Sequence, residues 1–303
     1  MITTDNLTKK FGETLAVDRL SLQIPEGEVF GFLGPNGAGK TTTVRMLTSL
    51  IGPTSGSATV NGFIVGQEDI NIRRTVGILT ETPGMYDNIS AERNLQIYAS
   101  LYEVNDPSGQ IEKYLRMLGL WERRKDEAGT FSKGMKQKLA IARALLHEPR
   151  ILFLDEPTAG LDPEASRLVR DFIIEIKKQG RTIFLCTHNL DEADRLCDRI
   201  GVFKTHLLVL DTPNRLREQL FERKVVFHLS SVDKSVETLV SQLPFVHETR
   251  LIDSKLVVTL DDPETHNPDI IRTLVNAGAD IQFVGELRRS LEDVYLQLMK
   301  PSD

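Results

Sequence analysis

The stretch that decides the fold is Val29-Phe30-Gly31-Phe32-Leu33-Gly34-Pro35-Asn36-Gly37-Ala38-Gly39-Lys40-Thr41-Thr42. An apolar segment leads into a glycine-rich turn, which is typical of a strand that feeds a phosphate-binding loop at the start of a helix. The glycines let backbone N–H groups turn toward phosphate oxygens, Lys40 can neutralise the outer phosphates, and the Thr41 hydroxyl can bind magnesium. Residues 34–42 therefore predict a nucleoside-triphosphate site.

The residues that follow the loop support this interpretation. Val44, Leu47 and Ile51 give the next segment one apolar helical face, and Gly52-Pro53 ends it. The alternative is a glycine-rich turn of an α/β protein that binds nothing. The helical context disfavours it.

Bulk properties narrow the class of protein. A chain of 303 residues with 40% hydrophobic residues has room for one large α/β domain and a small one. The net charge of -6 argues against a nonspecific grip on nucleic acid, which needs a basic surface. Cys186 and Cys197 lie outside any Cys-x-x-Cys spacing, which favours a reducing, cytosolic compartment. No stretch approaches the ~20 apolar residues of a membrane span, so we expect any membrane role to come from a partner.

The order of patterns predicts the domain organisation. Strand patterns at 151–154, 182–186 and 200–203 alternate with helix patterns at 163–179 and 190–196, which indicates a parallel sheet with helical crossovers. We expect a large domain over residues 1–218. Within it, residues from about 88 to 147 are helical throughout, with breaks at Pro107 and Gly119, and predict a helical subdomain where a partner could dock.

Residues 219–303 predict a small α+β domain. Strand patterns at 224–230, 246–251, 255–260 and 281–284 and helix patterns at 234–242 and 268–277 give the order βαββαβ, which is typical of a ferredoxin-like unit. A last amphipathic helix is expected at 290–299. Its apolar face either packs on its own domain or contacts a partner.

A second string places carboxylates at the end of a strand. Ile151-Leu152-Phe153-Leu154-Asp155-Glu156 is an apolar strand that ends in two acidic residues, at the edge where open α/β sheets bind ligands. Asp155 can hold magnesium through water, and Glu156 can polarise the attacking water.

Three more segments are candidates for the same site. Ser132 is the predicted N-cap of a helix whose N-terminus is available to an anion. His188 follows the strand pattern at 182–186 and could donate a hydrogen bond to a γ-phosphate at the sheet edge. Asp162, with Pro163 after it, either caps the next helix or reaches across an interface.

Together these strings make residues 1–211 resemble the nucleotide-binding subunit of an ATP-binding cassette (ABC) transporter. The Walker A loop of that family maps onto residues 34–42, the Walker B strand onto 151–155, and the catalytic carboxylate onto Glu156. The signature maps onto residues 131–135 with Ser132, Lys133 and Gly134, and the D-loop onto 159–162. His188 matches the switch histidine.

The resemblance implies fold, ligands and partners. The expected fold is an α/β P-loop NTPase with a mixed sheet core and a helical subdomain. ATP and Mg²⁺ are the implied ligands, Lys40, Glu156 and His188 the catalytic residues, and Phe11 the aromatic that stacks on adenine. Without the resemblance, Phe11 would be interpreted as a core residue.

Two departures from the family pattern matter. Glu81 stands where the family has a magnesium-sensing Gln. A carboxylate is also a hard oxygen ligand, so we expect magnesium coordination to be kept and the rate of ATP turnover to change. Lys133 stands where the signature has Gly, and Met135 where it has Gln. A cation in the first helical turn favours a triphosphate presented to that turn, so Lys133 is expected to contact nucleotide held by the opposite subunit.

The family pairs one subunit's Walker loop with the other's signature, and this chain has one copy of each. The competent form is therefore expected to be a homodimer or heterodimer, bound to separate integral membrane permease subunits at the inner face of the cell membrane. The segment Ser290-Leu291-Glu292-Asp293-Val294-Tyr295 resembles the ending common in the ABC-2 type export subgroup. The alternatives are a cytosolic ATPase acting on ribosomes or DNA, and a nucleotide-gated regulator that does not hydrolyse ATP.

Overall fold

The structure is a computed structural model, and it describes residues 1–80, 84–230, 234–287 and 290–299. The chain divides into two compact units, Met1–Pro213 and Asn214–Asp303. The expected domain boundary after residue 218 falls inside the helix Pro213–Leu220. No described helix combines the length and the apolar character needed to cross a bilayer.

The first unit alternates strands and helices. Its strands are β1 (Ile2–Phe11), β2 (Thr14–Ile24), β3 (Val29–Leu33), β4 (Ser55–Val60), β5 (Phe63–Ile64), β6 (Val76–Leu79), β7 (Ile151–Asp155), β8 (Thr182–Thr187), β9 (Arg199–Lys204) and β10 (His206–Asp211). Its helices are α1 (Lys40–Leu47), α2 (Asp69–Thr75), α3 (Ala91–Leu101), α4 (Pro107–Met117), α5 (Lys133–Leu145), α6 (Pro163–Lys178) and α7 (Leu190–Leu196), with short 3-10 turns at Trp121–Arg123 and Ala128–Thr130.

A six-stranded sheet with the order β10-β9-β3-β8-β7-β6 forms the centre of this unit. Neighbouring strands are parallel except β10 and β9, so the predicted mixed sheet is confirmed. β3, β7 and β8 are buried along their whole length, which explains their continuous apolar sequences. A second, antiparallel sheet has the order β2-β1-β4-β5.

Aromatic rings fill the core around β3. The Phe32 ring lies 5.3 Å from the Phe184 ring and 4.6 Å from the Phe203 ring, and Phe30 lies 5.4 Å from Phe184. All four side chains are fully buried. This packing anchors the strand that leads into the phosphate loop between two neighbouring strands of the sheet.

The segment predicted to be helical contains helices α3 to α5. The Ser90 hydroxyl accepts a hydrogen bond from the Arg93 N–H (3.1 Å) and so caps α3. Asp106 caps α4, with Pro107 at its first position, and Gly119 follows its end with a left-handed φ of 69°. Both predicted breaks therefore mark ends of α4.

The second unit contains α8 (Pro213–Leu220), β11 (Lys224–Leu229), α9 (Lys234–Ser241), β12 (Val246–Ile252), β13 (Lys255–Leu260), α10 (Pro263–Asn276), β14 (Ile281–Glu286) and α11 (Leu291–Met299). The strands form one antiparallel sheet with the order β12-β13-β11-β14. From β11 to β14 the element order is βαββαβ, and it agrees with the predicted ferredoxin-like unit. Leu291 and Val294 are the buried residues of α11, on the face that the sequence pattern indicated.

One predicted boundary in this unit is wrong. The helix expected at 268–277 begins at Pro263, and Pro268 lies inside it. Asp262 caps this helix by accepting a hydrogen bond from the Thr265 N–H at 3.4 Å. Asp-Pro is the stronger start signal, since the cap and the first-turn proline both fit there.

The sheet of the second unit offers a matched pair of phenylalanines for a stability test. Phe227 of β11 is fully buried, whereas Phe283 of β14 is 61% exposed. We expect Phe227→Ala to lower the free energy of unfolding by about 3–5 kcal/mol, because it leaves a cavity in the core. Phe283→Ala should cost about 1 kcal/mol or less. Urea unfolding followed by circular dichroism measures both, and equal losses would contradict this assignment of the core.

Candidate functional site

The phosphate loop lies between β3 and α1, and two backbone carbonyls press against it. Gly39 is the N-cap of α1 with a left-handed φ of 104°, and a Cβ at this position would collide with the carbonyl oxygen of Ala16. A Cβ at Gly34 would collide with the carbonyl oxygen of Phe203. Only glycine fits at both ends of the turn, so the neighbouring strands shape the loop.

Lys40 folds back over this loop. Its side chain is buried, and Nζ donates hydrogen bonds to the carbonyl oxygens of Gly34 (2.6 Å) and Pro35 (3.3 Å). The same atom lies 3.8 Å from Oε1 of Glu156. An ammonium group held at the mouth of the loop is placed to contact phosphate oxygens.

Two oxygen ligands lie together at the next residue. The Thr41 hydroxyl donates a hydrogen bond to Oδ2 of Asp155 at 2.8 Å, and Asp155 is buried at the end of β7. Within the described residues there is no cluster of three or more His, Cys, Asp or Glu that could hold a metal ion alone. This donor set suits magnesium, which is usually bound by one or two protein oxygens together with substrate phosphates.

Glu156 and His188 form a pair beside these groups. Nδ1 of His188 lies 2.8 Å from Oε2 of Glu156. The other carboxylate oxygen, Oε1, is buried and lacks a hydrogen-bond partner within the part of the chain that the structure describes. This oxygen is therefore available to polarise a group that enters the site.

The backbone of Glu156 is strained. Its φ is +51°, a left-handed conformation that non-glycine residues rarely adopt, and Pro157 follows it. The Glu156 N–H donates a hydrogen bond to the Cys186 carbonyl oxygen at 2.9 Å, which holds the residue against β8. Strain of this kind costs about 1–3 kcal/mol and is concentrated at functional sites.

Strand register explains why these side chains meet. Leu33 of β3 pairs with Thr187 of β8, and Cys186 of β8 pairs with Asp155 of β7. The three strands thus end at one level, and the residue after each of them lies at the same sheet edge. Burial of Cys186 raises the pKa of its thiol, so it stays protonated and inert near neutral pH.

A cavity of about 290 Å³ opens at this edge. It brings together predicted site residues from three parts of the sequence. Its lining comprises Ala16, Pro35, Asn36, Gly37, Ala38, Gly39, Lys40, Thr41, Thr42, Asp155, Glu156, Ala159 and His188. Ala16 was not predicted, and Ala159 was predicted only as the first residue of the D-loop. Ala16 gives no sequence signal, because its place depends on how β2 packs on the loop.

Several predicted site residues lie outside this lining. Ser132 caps α5, its hydroxyl accepting a hydrogen bond from the Met135 N–H at 3.3 Å, and the Lys133 ammonium lies against Gly160 of the same chain. Asp162 caps α6 by accepting a hydrogen bond from the Ala165 N–H at 2.8 Å. The set outside the lining is Phe11, Gly34, Ser132, Lys133, Gly134 and Asp162.

Phe11 does not belong to the core. Its side chain is 51% exposed at the end of β1, with Nζ of Lys9 5.2 Å from the ring centre. The core interpretation of Phe11 is therefore wrong, and its stacking on adenine stays a prediction. Glu81 lies outside the described residues.

Comparisons with known proteins agree with this site. A family model described as ABC transporter matches residues 17–159. The bacitracin transport ATP-binding protein BcrA of Bacillus licheniformis is 36% identical, over 99% of this chain and 97% of its own length.

Two solved structures show the same fold over most of the chain. The structure of cbiO1 from Clostridium perfringens, part of the ABC transporter complex cbiONQ, is 26% identical and has a TM-score of 0.65, covering 71% of this chain and 89% of that one. The dimeric structure of MJ0796, a bacterial ABC transporter cassette, is 26% identical with a TM-score of 0.64 and covers 70% of this chain and 98% of that one. The chain therefore belongs to the ATP-binding subunits of ABC transporters, and it is an ATPase of the P-loop class.

Proposed function

We propose that this chain is the ATP-hydrolysing motor of a membrane exporter and works as a dimer on separate permease subunits, at the inner face of the cell membrane. The observation that supports this most is the convergence of Lys40, Asp155, Glu156 and His188 around one cavity at the sheet edge. The signature residues 132–134 and the α6 cap Asp162 do not line that cavity.

The geometry suits hydrolysis of a bound triphosphate. The backbone N–H groups of the loop and the Lys40 ammonium would bind the β- and γ-phosphates. Thr41 and Asp155, together with the sequence-predicted ligand Glu81, would hold Mg²⁺, which when bound supplies charge neutralisation of the phosphates. Glu156 would orient the attacking water through Oε1, which has no hydrogen-bond partner among the described residues, and His188 would contact the γ-phosphate.

A second subunit would complete the site. Ser132, Lys133 and Gly134 lie at the N-terminus of α5, which carries a positive partial charge that attracts phosphate. None of these residues lines the chain's own cavity, so they are free to face nucleotide on a partner. The dimeric structure of MJ0796 supports a dimer. Asp162 would contact the partner at the same interface, and Phe11 would stack on the adenine.

The transport assignment rests on likeness to relatives. BcrA is named for bacitracin transport, and its match covers 99% of this chain, so it includes the second unit. The cbiO1 protein is part of a transporter complex with other subunits. BcrA supports a role in transport of a compound, and cbiO1 supports work within a larger transporter complex.

Replacing the proposed water-orienting carboxylate tests the enzymatic mechanism. We expect Glu156→Gln to lower kcat for ATP hydrolysis by about 10²-fold or more, because the amide cannot accept the proton of the attacking water. Nucleotide binding should persist, since Lys40 and the loop are unchanged. Phosphate release and binding of a fluorescent ATP analogue measure the two quantities.

Glu175→Gln makes the same chemical change at an exposed position of α6 and should leave kcat unchanged. A Glu156→Gln variant that turns over within tenfold of the wild type would mean that another group orients the water.

Lys133 offers a test of the shared interface. We expect Lys133→Ala to weaken ATP-driven dimerisation by about tenfold, because it removes one charge-assisted contact to phosphate across the interface. Sedimentation of variants that also carry Glu156→Gln measures the dimer dissociation constant with MgATP. Lys125→Ala removes an exposed lysine of the same helical region and serves as the control. Equal dissociation constants for both variants would reduce Lys133 to a solvated side chain.

A further inference from the structure

Glu192 is a buried carboxylate that the proposed reaction does not use. It lies in α7, four residues after His188, and its side chain is only 1% exposed. Oε1 accepts a hydrogen bond from the Thr158 hydroxyl at 2.5 Å, whereas Oε2 is buried and lacks a hydrogen-bond partner among the residues that the structure describes. A buried carboxylate with an unpartnered oxygen is costly for folding, so stability alone does not explain its presence.

Glu192 is connected to the loop that carries Glu156. Thr158 is two residues after Glu156, and Pro157 between them accepts a hydrogen bond at its carbonyl oxygen from Nε2 of Gln137 at 2.8 Å. The Ala159 N–H also donates to the Glu156 carbonyl oxygen at 3.1 Å. Side chains from α5 and α7 therefore hold this short segment from two sides.

Glu192 is also connected to His188. The backbone N–H of Glu192 donates a hydrogen bond to Oδ1 of Asn189, the residue after His188, at 3.2 Å. The Asn189 N–H in turn donates to the Thr187 hydroxyl at 3.0 Å. The backbone on both sides of the imidazole is thus tied to the start of α7.

These contacts close a ring. It runs from Glu156 through the chain to Thr158, across the 2.5 Å hydrogen bond to Glu192, across the 3.2 Å hydrogen bond to Asn189, and along the chain to His188. The contact of 2.8 Å between His188 Nδ1 and Glu156 Oε2 completes it. The ring joins the two loops of the active site through one buried residue, whose side chain accepts from Thr158 and whose backbone N–H donates to Asn189.

The carboxylate of Glu192 faces one hydroxyl group and one positive charge. Burial raises the pKa of its carboxyl group, while the Thr158 hydrogen bond and the charge of Arg170 act in the opposite direction. Nη1 of Arg170, on α6, lies 3.6 Å from Oε1. Three separate elements therefore meet at this carboxylate: the loop after β7, α6 and α7.

We propose that Glu192 is a positioning residue for ATP hydrolysis, which acts through Thr158 and Asn189 to hold Glu156 and His188 in contact. Glu192 is not among the residues that line the cavity. It sets the distance between two groups whose relative position decides the rate, since a displacement of about 1 Å at such a pair costs about 10²-fold in rate. The inference rests on the proposed role of Glu156.

Two single variants each remove the hydrogen bond between Thr158 and Glu192, one at the donor and one at the acceptor. Thr158→Val deletes the hydroxyl at nearly constant volume, and Glu192→Ala deletes the acceptor. Each variant is expected to lower kcat about tenfold and to keep KM for MgATP within about threefold, because the phosphate loop is untouched. The double variant should be no slower than the slower single variant, since both changes break the same link.

Conservative and neighbouring variants separate positioning from folding. Thr158→Ser restores the hydroxyl and should recover most of kcat, and Glu192→Gln keeps an acceptor oxygen and should do the same. Asp191→Asn, at the exposed position before Glu192, should behave as the wild type. If Glu192→Ala does not fold, as judged by thermal unfolding, the Thr158 variants give the answer.

Variants made in protein that already carries Glu156→Gln distinguish this inference from the proposed function. In protein that already carries Glu156→Gln, adding Thr158→Val should change the residual rate by less than twofold, because the group being positioned is gone. A Glu156→Gln variant with normal turnover would instead refute the role of Glu156 itself. The positioning role is overturned if Thr158→Val alone keeps kcat within twofold of the wild type, or if the single effects multiply in the double variant.

Discussion

The active site depends on the close approach of two backbone carbonyls to the phosphate loop. The carbonyl oxygens of Ala16 and Phe203 leave no space for a side chain at Gly39 and Gly34, so the loop takes one narrow path between β3 and α1. That path turns Lys40 back over the loop and points the first turn of α1 toward the cavity. The loop is therefore shaped by strands distant in sequence, and the side chains proposed to be catalytic are placed around it.

Parallel pairing supplies the rest of the geometry. Because β3, β8 and β7 are adjacent and in register, three segments far apart in the chain end at one sheet edge. Glu156 and His188 come from different strands and still lie in contact. The left-handed backbone of Glu156 and the ring through Glu192 show that this contact is held by several elements at some conformational cost.

Local strings were sufficient to predict much of this site. Three short stretches of sequence were enough to indicate it: the strand and loop at 29–42, the acidic strand end at 155–156, and His188. Residues from all three line the cavity. Contacts that depend on tertiary packing could not be predicted. Ala16 reaches the loop through the docking of β2, and Thr158 meets Glu192 across two loops.

The start of α10 and the exposure of Phe11 also show what the sequence pattern did not predict. The sequence pattern puts the start of α10 at Pro268, whereas the cap and first-turn proline are Asp262 and Pro263. The exposure of Phe11 reflects its place at the end of β1, which a single aromatic residue does not reveal.

Each chain is proposed to hold only half of a working site, and the signature segment of a partner chain supplies the other half. The most direct measurement is the molar mass of the Glu156→Gln variant by analytical ultracentrifugation, with and without saturating MgATP. We expect a monomer without nucleotide and a dimer with it, since slowed hydrolysis keeps the shared triphosphate in place. A protein that remains monomeric with saturating MgATP would contradict it.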